Sequence, residues 1–164
     1  MLYHGTSLTR AKRILNEGFR SGVHLNWNVS KKEICFYSDD REAPDGKTPE
    51  NGAYWNGIPA LLADNDSHIV VFVCDAHTLK RDKSCGERGS DSAVVMKKLH
   101  KNAIVGAFIS PDLSDHYDIL EREIAGNRLS TLEIGESSHR GLVFDQEDYP
   151  LMKISIADVK RFVA

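Results

Sequence analysis

The sequence has little of several things. Its 164 residues include only three cysteines, unevenly spaced. An odd, scattered set makes no disulfide framework and fits a reducing cytosol. No apolar run approaches the roughly eighteen residues of a membrane-spanning helix, and the first residues lack the apolar core of a signal peptide. The expected setting is therefore cytoplasmic and without a membrane partner; delivery into a host cell would have to proceed without a Sec-type signal. Positive charge is not in excess, since 21 Lys and Arg face 24 Asp and Glu for a net charge of −3. That balance argues against a surface devoted to coating nucleic acid, which carries a basic stripe. The run Lys97-Lys98-Leu99-His100-Lys101 reads as a solvated turn. Internal repeats and low-complexity segments are missing, and the length suits a single domain spanning residues 1–164.

Three familiar chemistries fail on spacing. Gly46-Lys47-Thr48 imitates the end of a phosphate-binding P-loop, but Arg41 stands where that motif needs its first glycine. No Gly-x-Ser-x-Gly elbow is present, which removes the commonest serine-hydrolase signature. Cys74, His77 and Cys85 lack the second close pair of a zinc site, so no metal is expected.

What is present begins with the first nineteen residues. They read as a very short strand carrying His4 and Gly5, a sharp turn, and a helix with Leu8, Ala11, Ile14 and Leu15 on one face. Ser7 or Thr9 serves as its N-cap and Gly18 as its C-terminal stop. His4 and Gly5 lie at the strand end, where a backbone can open toward a ligand. Arg20 to Lys32 reads as a loop, Glu33 to Ser38 as a strand of aromatic and β-branched residues, and Arg41 to Gly52 as a surface loop broken by Pro44, Gly46 and Pro49. Ala53 to Ala63 is expected to be a short helix interrupted early by Gly57-Ile58-Pro59, because a proline is tolerated only in a helix's first turn. His68 to Cys74 is the most apolar run and reads as a buried central strand, with a second loop at Thr78 to Ser90. Further strands are expected at Ser92 to Lys97, Ala103 to Ile109, Leu129 to Ile134, Gly141 to Phe144 and Leu151 to Ile156. Helices are expected at Asp112 to Ala125, started by Ser110-Pro111-Asp112, and at Ala157 to Val163. The sum is an α+β domain.

Three pieces in chain order carry a resemblance: Tyr3-His4-Gly5-Thr6 leading through a helix to Gly18-Phe19, the strand Cys35-Phe36-Tyr37-Ser38, and Gly52-Ala53-Tyr54. Together they resemble the ADP-ribosyltransferase superfamily in its poly(ADP-ribose)-polymerase and diphtheria-toxin-like branch. The resemblance covers Leu2 to about Ile109, and residues from Ser110 onward match nothing in it. It implies an ADP-ribosyltransferase-like split β-sandwich with flanking helices. It also implies a transferase of the glycosyltransferase class that takes NAD as substrate, releases nicotinamide and passes ADP-ribose to a protein or nucleic-acid target.

Carried over residue by residue, the resemblance puts His4 on a ribose hydroxyl and the Gly5 and Thr6 backbone on the nicotinamide amide. Tyr54, with Phe36 or Tyr37, would stack on the nicotinamide ring, and Ser38 closes the NAD-binding set. The family's glutamate, which steadies the cation formed as nicotinamide leaves, is missing, because Ser92 occupies its position. Asp91 or Glu87 is the substitute, giving His4, Tyr54 and one of these acids as catalytic candidates. Relatives without the glutamate transfer a single ADP-ribose or are inactive. The resemblance therefore implies a mono-ADP-ribosyltransferase, with a degenerate NAD- or ADP-ribose-binding module as the alternative. A nucleic-acid-directed enzyme like the DarT toxins, or an RNA 2′-phosphotransferase, is a further alternative. A toxin paired with an antitoxin, a phage protein and an effector acting on a host partner all suit such a domain.

Overall fold

The computed structural model describes residues 1–20, 34–39, 48–75, 93–96, 98–122 and 150–164. Strand β1, Leu2–Ser7, is flanked on one side by β3, Ile34–Ser38, and on the other by β4, Ile69–Cys74. Strands β5 (Ala93–Met96), β7 (Ile104–Ile109) and β8 (Met152–Ile154) complete a six-stranded sheet in the order β5-β3-β1-β4-β7-β8. Every neighbouring pair in it is antiparallel. A separate two-stranded ribbon joins β2, Phe19–Arg20, to β6, Lys98–Leu99. The domain is thus mixed α and β with an antiparallel sheet, as the α+β reading expected.

Helices cover both faces of the sheet, which explains the uninterrupted apolar run of β4. Val70, Phe72 and Cys74 enter one core with Ala11, Ile14 and Leu15 of helix α1 (Leu8–Glu17), while Ile69 and Val71 enter the other with helix α2 (Pro49–Asp64). A strand buried on both faces has no polar side to show.

Helix α1 starts and stops as its sequence dictates. Ser7, of the two expected caps, takes the role, its hydroxyl accepting the Arg10 N–H at 3.3 Å. Thr9 instead gives its N–H and hydroxyl to the Asp66 carboxylate at 2.8 and 3.2 Å. Arg10 forks onto Asp64 at 2.7 and 3.3 Å, so the first turn of α1 is tied to the end of α2. Gly18 holds φ of 82° and sends its N–H to the Ile14 carbonyl, a conformation open to glycine and strained for other residues.

Helix α2 departs from expectation at its start. It opens at Pro49, inside the predicted loop, because a proline in the first helical position gives up only an N–H that has no helical partner there. Pro59 consequently lies deep in the helix and not in its first turn. An interior proline costs about 3 kcal/mol. Burial of Tyr54, Ile58 and Leu61, each contributing about 1.5–3 kcal/mol, outweighs it. Two glycines let the helix backbone rest on the strand backbone. A Cβ on Gly5 would lie 1.8 Å from the Ala53 carbonyl oxygen, and one on Gly57 would lie 2.7 Å from Ile69 and 3.1 Å from the Thr6 nitrogen.

Other boundaries shift for local reasons. Arg20, expected to open a loop, pairs with Lys98. The helix expected from Asp112 begins later: the Asp112 carboxylate accepts the Ser114 N–H at 2.9 Å, a 3₁₀ turn spans Ser114–His116, and residues 117–122 (α3) are helical. Ile156, expected to end a strand, opens helix α4, Ile156–Phe162, because Ser155 caps it by accepting the Asp158 N–H. In the basic run Leu99 is buried, His100 caps a 3₁₀ turn, and Lys101 donates to the Asn16 carbonyl at the end of α1. The rest of the expected 20–32 loop, most of the 41–52 loop, the 78–90 loop and the strands expected at 129–134 and 141–144 lie outside the described residues. No helix among the described residues is long and apolar enough to cross a membrane.

Two predictions follow from this packing. Gly5→Ala should lower stability by about 3 kcal/mol or more, since the new methyl meets backbone that cannot yield. Gly106→Ala, whose Cβ would sit 3.7 Å from its nearest neighbour, should change stability by under about 1 kcal/mol; urea midpoints compare the two. His68 packs edge-on against Phe162 at 4.9 Å, and burial lowers its pKa against a weaker opposing pull from Asp112. With the folded value below the unfolded one, its contribution to stability is whole above the unfolded pKa of about 6.5 and is lost as pH falls below it and through the lower folded value. The melting temperature should therefore drop more between about pH 7.5 and pH 5 in the wild type than in His68→Gln.

Candidate functional site

The candidate site is a parting in the sheet. Strand β1 pairs with β4 along its whole length, from Leu2↔Cys74 to Ser7↔Ile69. Its ladder with β3 holds only two rungs, Leu2↔Ser38 and Tyr3↔Tyr37. Beyond Tyr37, β3 stays paired with β5 down to Ile34↔Met96. Between His4–Thr6 and Ile34–Phe36 the two strands therefore run without a shared ladder.

The His4 ring spans the opening, its Nδ1 lying 2.9 Å from the Cys35 carbonyl oxygen. A carbonyl only accepts, so Nδ1 carries the proton and Nε2 is the accepting nitrogen of the neutral ring. Phe19, delivered by the turn at Gly18, packs against this point. Its ring lies 5.3 Å from His4, 5.1 Å from Phe36 and 5.9 Å from Phe72, each contact edge-on. Such pairs contribute about 0.5–1.5 kcal/mol each beyond area burial.

Strand alternation divides the expected residues between the two faces. His4 and Phe36 lie on the α1 face, while Tyr37 and Tyr54 lie on the α2 face with Gly5 beneath the helix. Of the two alternatives for ring stacking, Phe36 is fully buried in the first core and Tyr37 is half-buried at the parting. Tyr54, expected beside polar loop residues, is 3% exposed and packs in the second core with Ile58, Leu61, Leu113 and Leu120. The early start of α2 is the reason, because it moves Tyr54 from the helix end into its second turn, facing the sheet. Thr6 and Ser38 are also buried. The absent side chain of Gly5, expected to make room for an amide, already makes room for Ala53.

Asp91, Glu87 and Ser92 lie outside the described residues, as do His77 and Cys85. Burial pushes the thiol of Cys74 up to about 12 and that of Cys35 up to about 11, so both remain protonated and inert. No cluster of three potential metal ligands occurs among the described residues. Burial likewise raises the Tyr37 phenol well above the ordinary tyrosine value, Cys35 adding to the effect and the hydrogen bond from Asn56 opposing it.

Two contributors escaped the sequence reading. Asn56 holds the Tyr37 hydroxyl; it lies four residues after Gly52, a helical spacing that a helix starting at Pro49 makes visible. Phe19 stands in the sequence only as the partner of Gly18 in the Gly-Phe pair that closes the opening helix.

The fold and site define an α+β domain whose antiparallel sheet parts beside a bridging histidine. Comparison of the chain with protein-family models, curated proteins and solved structures finds no match.

His4→Ala should cost about 1–3 kcal/mol, the sum of the Cys35 carbonyl's lost donor and the lost aromatic contacts. The protein should still unfold in one cooperative step, which urea denaturation followed by circular dichroism would reveal.

Proposed function

We propose that the protein is a mono-ADP-ribosyltransferase that cleaves the nicotinamide–ribose bond of NAD and transfers ADP-ribose to a macromolecular target. The observation that carries the reading is the parting itself. The β1–β3 ladder stops at Tyr3↔Tyr37, and the next three residues, His4, Gly5 and Thr6, are those the resemblance assigns to the dinucleotide. On this reading the sheet is the opened half of an ADP-ribosyltransferase-like split β-sandwich.

The residues at hand suit the chemistry asked of them. His4, oriented across the parting by its Nδ1 bond to the Cys35 carbonyl, stands where the resemblance puts a contact to a ribose hydroxyl. The Gly5–Thr6 edge, without a ladder to β3, offers backbone groups to a carboxamide. Tyr37 flanks the opening from the α2 side, while Phe36 and Tyr54 act from beneath as packing. Nicotinamide departs with the electron pair of the broken bond, and the positive charge that develops on the ribose carbon needs a nearby anion until a target nucleophile attacks. Asp91 or Glu87 supplies that anion, and transfer stops at one unit because Ser92 replaces the family's glutamate.

Nicotinamide release from NAD, with and without cellular protein, DNA and RNA, tests the reading alongside calorimetric NAD binding. The expected result is release that rises with one target class. It should fall by about a hundredfold or more in a folded His4→Ala variant, the scale of a lost transition-state contact. Neither binding nor release would overturn the proposal. Tight ADP-ribose binding without turnover would establish the binding module that Ser92 favours.

A further inference from the structure

The half-buried pair Tyr37 and Asn56 has a polarity that ring stacking does not use. Asn56 lies four residues after Gly52 on α2, and its Nδ2 donates both to the Tyr37 hydroxyl oxygen and, at 3.4 Å, to the Gly52 carbonyl. Since a carbonyl can only accept, the second contact identifies the donating atom as nitrogen. The phenol oxygen therefore accepts, and its own proton points elsewhere. No hydrogen bond donated by that hydroxyl occurs among the described residues.

The ring is fixed as firmly as the oxygen. It lies against Gly52, where a Cβ would come within 2.6 Å of the Tyr37 ring. Tyr37 also sits on the last rung of the β1–β3 ladder, one residue from the parting that His4 spans. His4 and Tyr37 thus flank the opening from opposite faces, the first with an accepting nitrogen in its neutral form and the second with a donating hydroxyl.

We propose that Tyr37 is a specificity-determining hydrogen-bond donor of this site and Asn56 its positioning residue, so that the pair selects a ligand by an acceptor oxygen and not by a flat ring alone. This rests on the proposed function, in which the oxygen belongs to the substrate NAD, on either its nicotinamide carboxamide or its ADP-ribose portion. Asn56 matters because it can give the phenol a donor. An aspartate there would accept the phenol's hydrogen bond and leave none for the ligand.

Calorimetric dissociation constants for NAD, ADP-ribose and nicotinamide, in wild type, Tyr37→Phe, Asn56→Asp and the double variant, test this. Tyr37→Phe should weaken NAD binding by about 2- to 10-fold, the worth of one neutral hydrogen bond. Asn56→Asp should weaken it at least as much in the wild-type background and have no further effect in the Tyr37→Phe background. A loss shared with ADP-ribose places the oxygen there; a loss shared with nicotinamide places it on the carboxamide. Without ligand, the tyrosine doublet in the Raman difference between wild type and Tyr37→Phe should report an accepting phenol, turning to a donating one in Asn56→Asp. NAD binding that ignores Tyr37→Phe, effects of the two substitutions that multiply, or a donating phenol in the ligand-free wild type would each overturn the inference while the proposed function stands. A wild type that binds neither NAD nor ADP-ribose would overturn both.

Discussion

The direct seating of helix α2 on strand β1 is the constraint on which the rest of the structure depends. A helix usually packs on a sheet through side chains; here the Ala53 carbonyl occupies the space of a Gly5 side chain, and Gly57 repeats the approach one turn later. That seating points Tyr54, Ile58 and Leu61 into the second core and brings Gly52 and Asn56 alongside β3. It also explains why an interior proline is tolerated, since the helix is held from below by burial and not by its own hydrogen bonds alone.

The parting of β1 from β3 is stabilised from the opposite face. Phe19 follows a glycine in a conformation that turns the chain back beneath the sheet, and its ring meets His4, Phe36 and Phe72 at once. An antiparallel pair that loses its ladder leaves polar groups to satisfy. The imidazole takes one of them by approaching the Cys35 carbonyl. Packing on one face and a side-chain hydrogen bond between the strands together stabilise them where their ladder stops.

Much of this was legible in advance where the reasons are local. Helix α1 could be read from the spacing of Ala11, Ile14 and Leu15 and from its two terminal residues, and β4 from its apolar density, because capping and burial periodicity act over a few residues. The start of α2 was not legible, since Pro49 serves equally as a loop residue or a first helical residue and only the sheet beneath decides between them. That single boundary carried the errors about Pro59 and Tyr54 with it. The roles of Phe36 and Tyr37 stayed open for a related reason: alternation says that neighbours face opposite ways, but not which face meets α2.

The sequence by itself determined the order of the chemistry-bearing residues, the caps of α1 with Gly18 as its stop, and the buried strand β4, because these follow from propensity, patterning and sterics within a short window. Only the tertiary structure decided that β1 and β3 part after Tyr3, that His4 and Tyr37 stand on opposite faces of that opening, and that Asn56 sets the polarity of the Tyr37 hydroxyl. Those facts depend on contacts between residues 19 to 36 positions apart along the chain, which no local window contains.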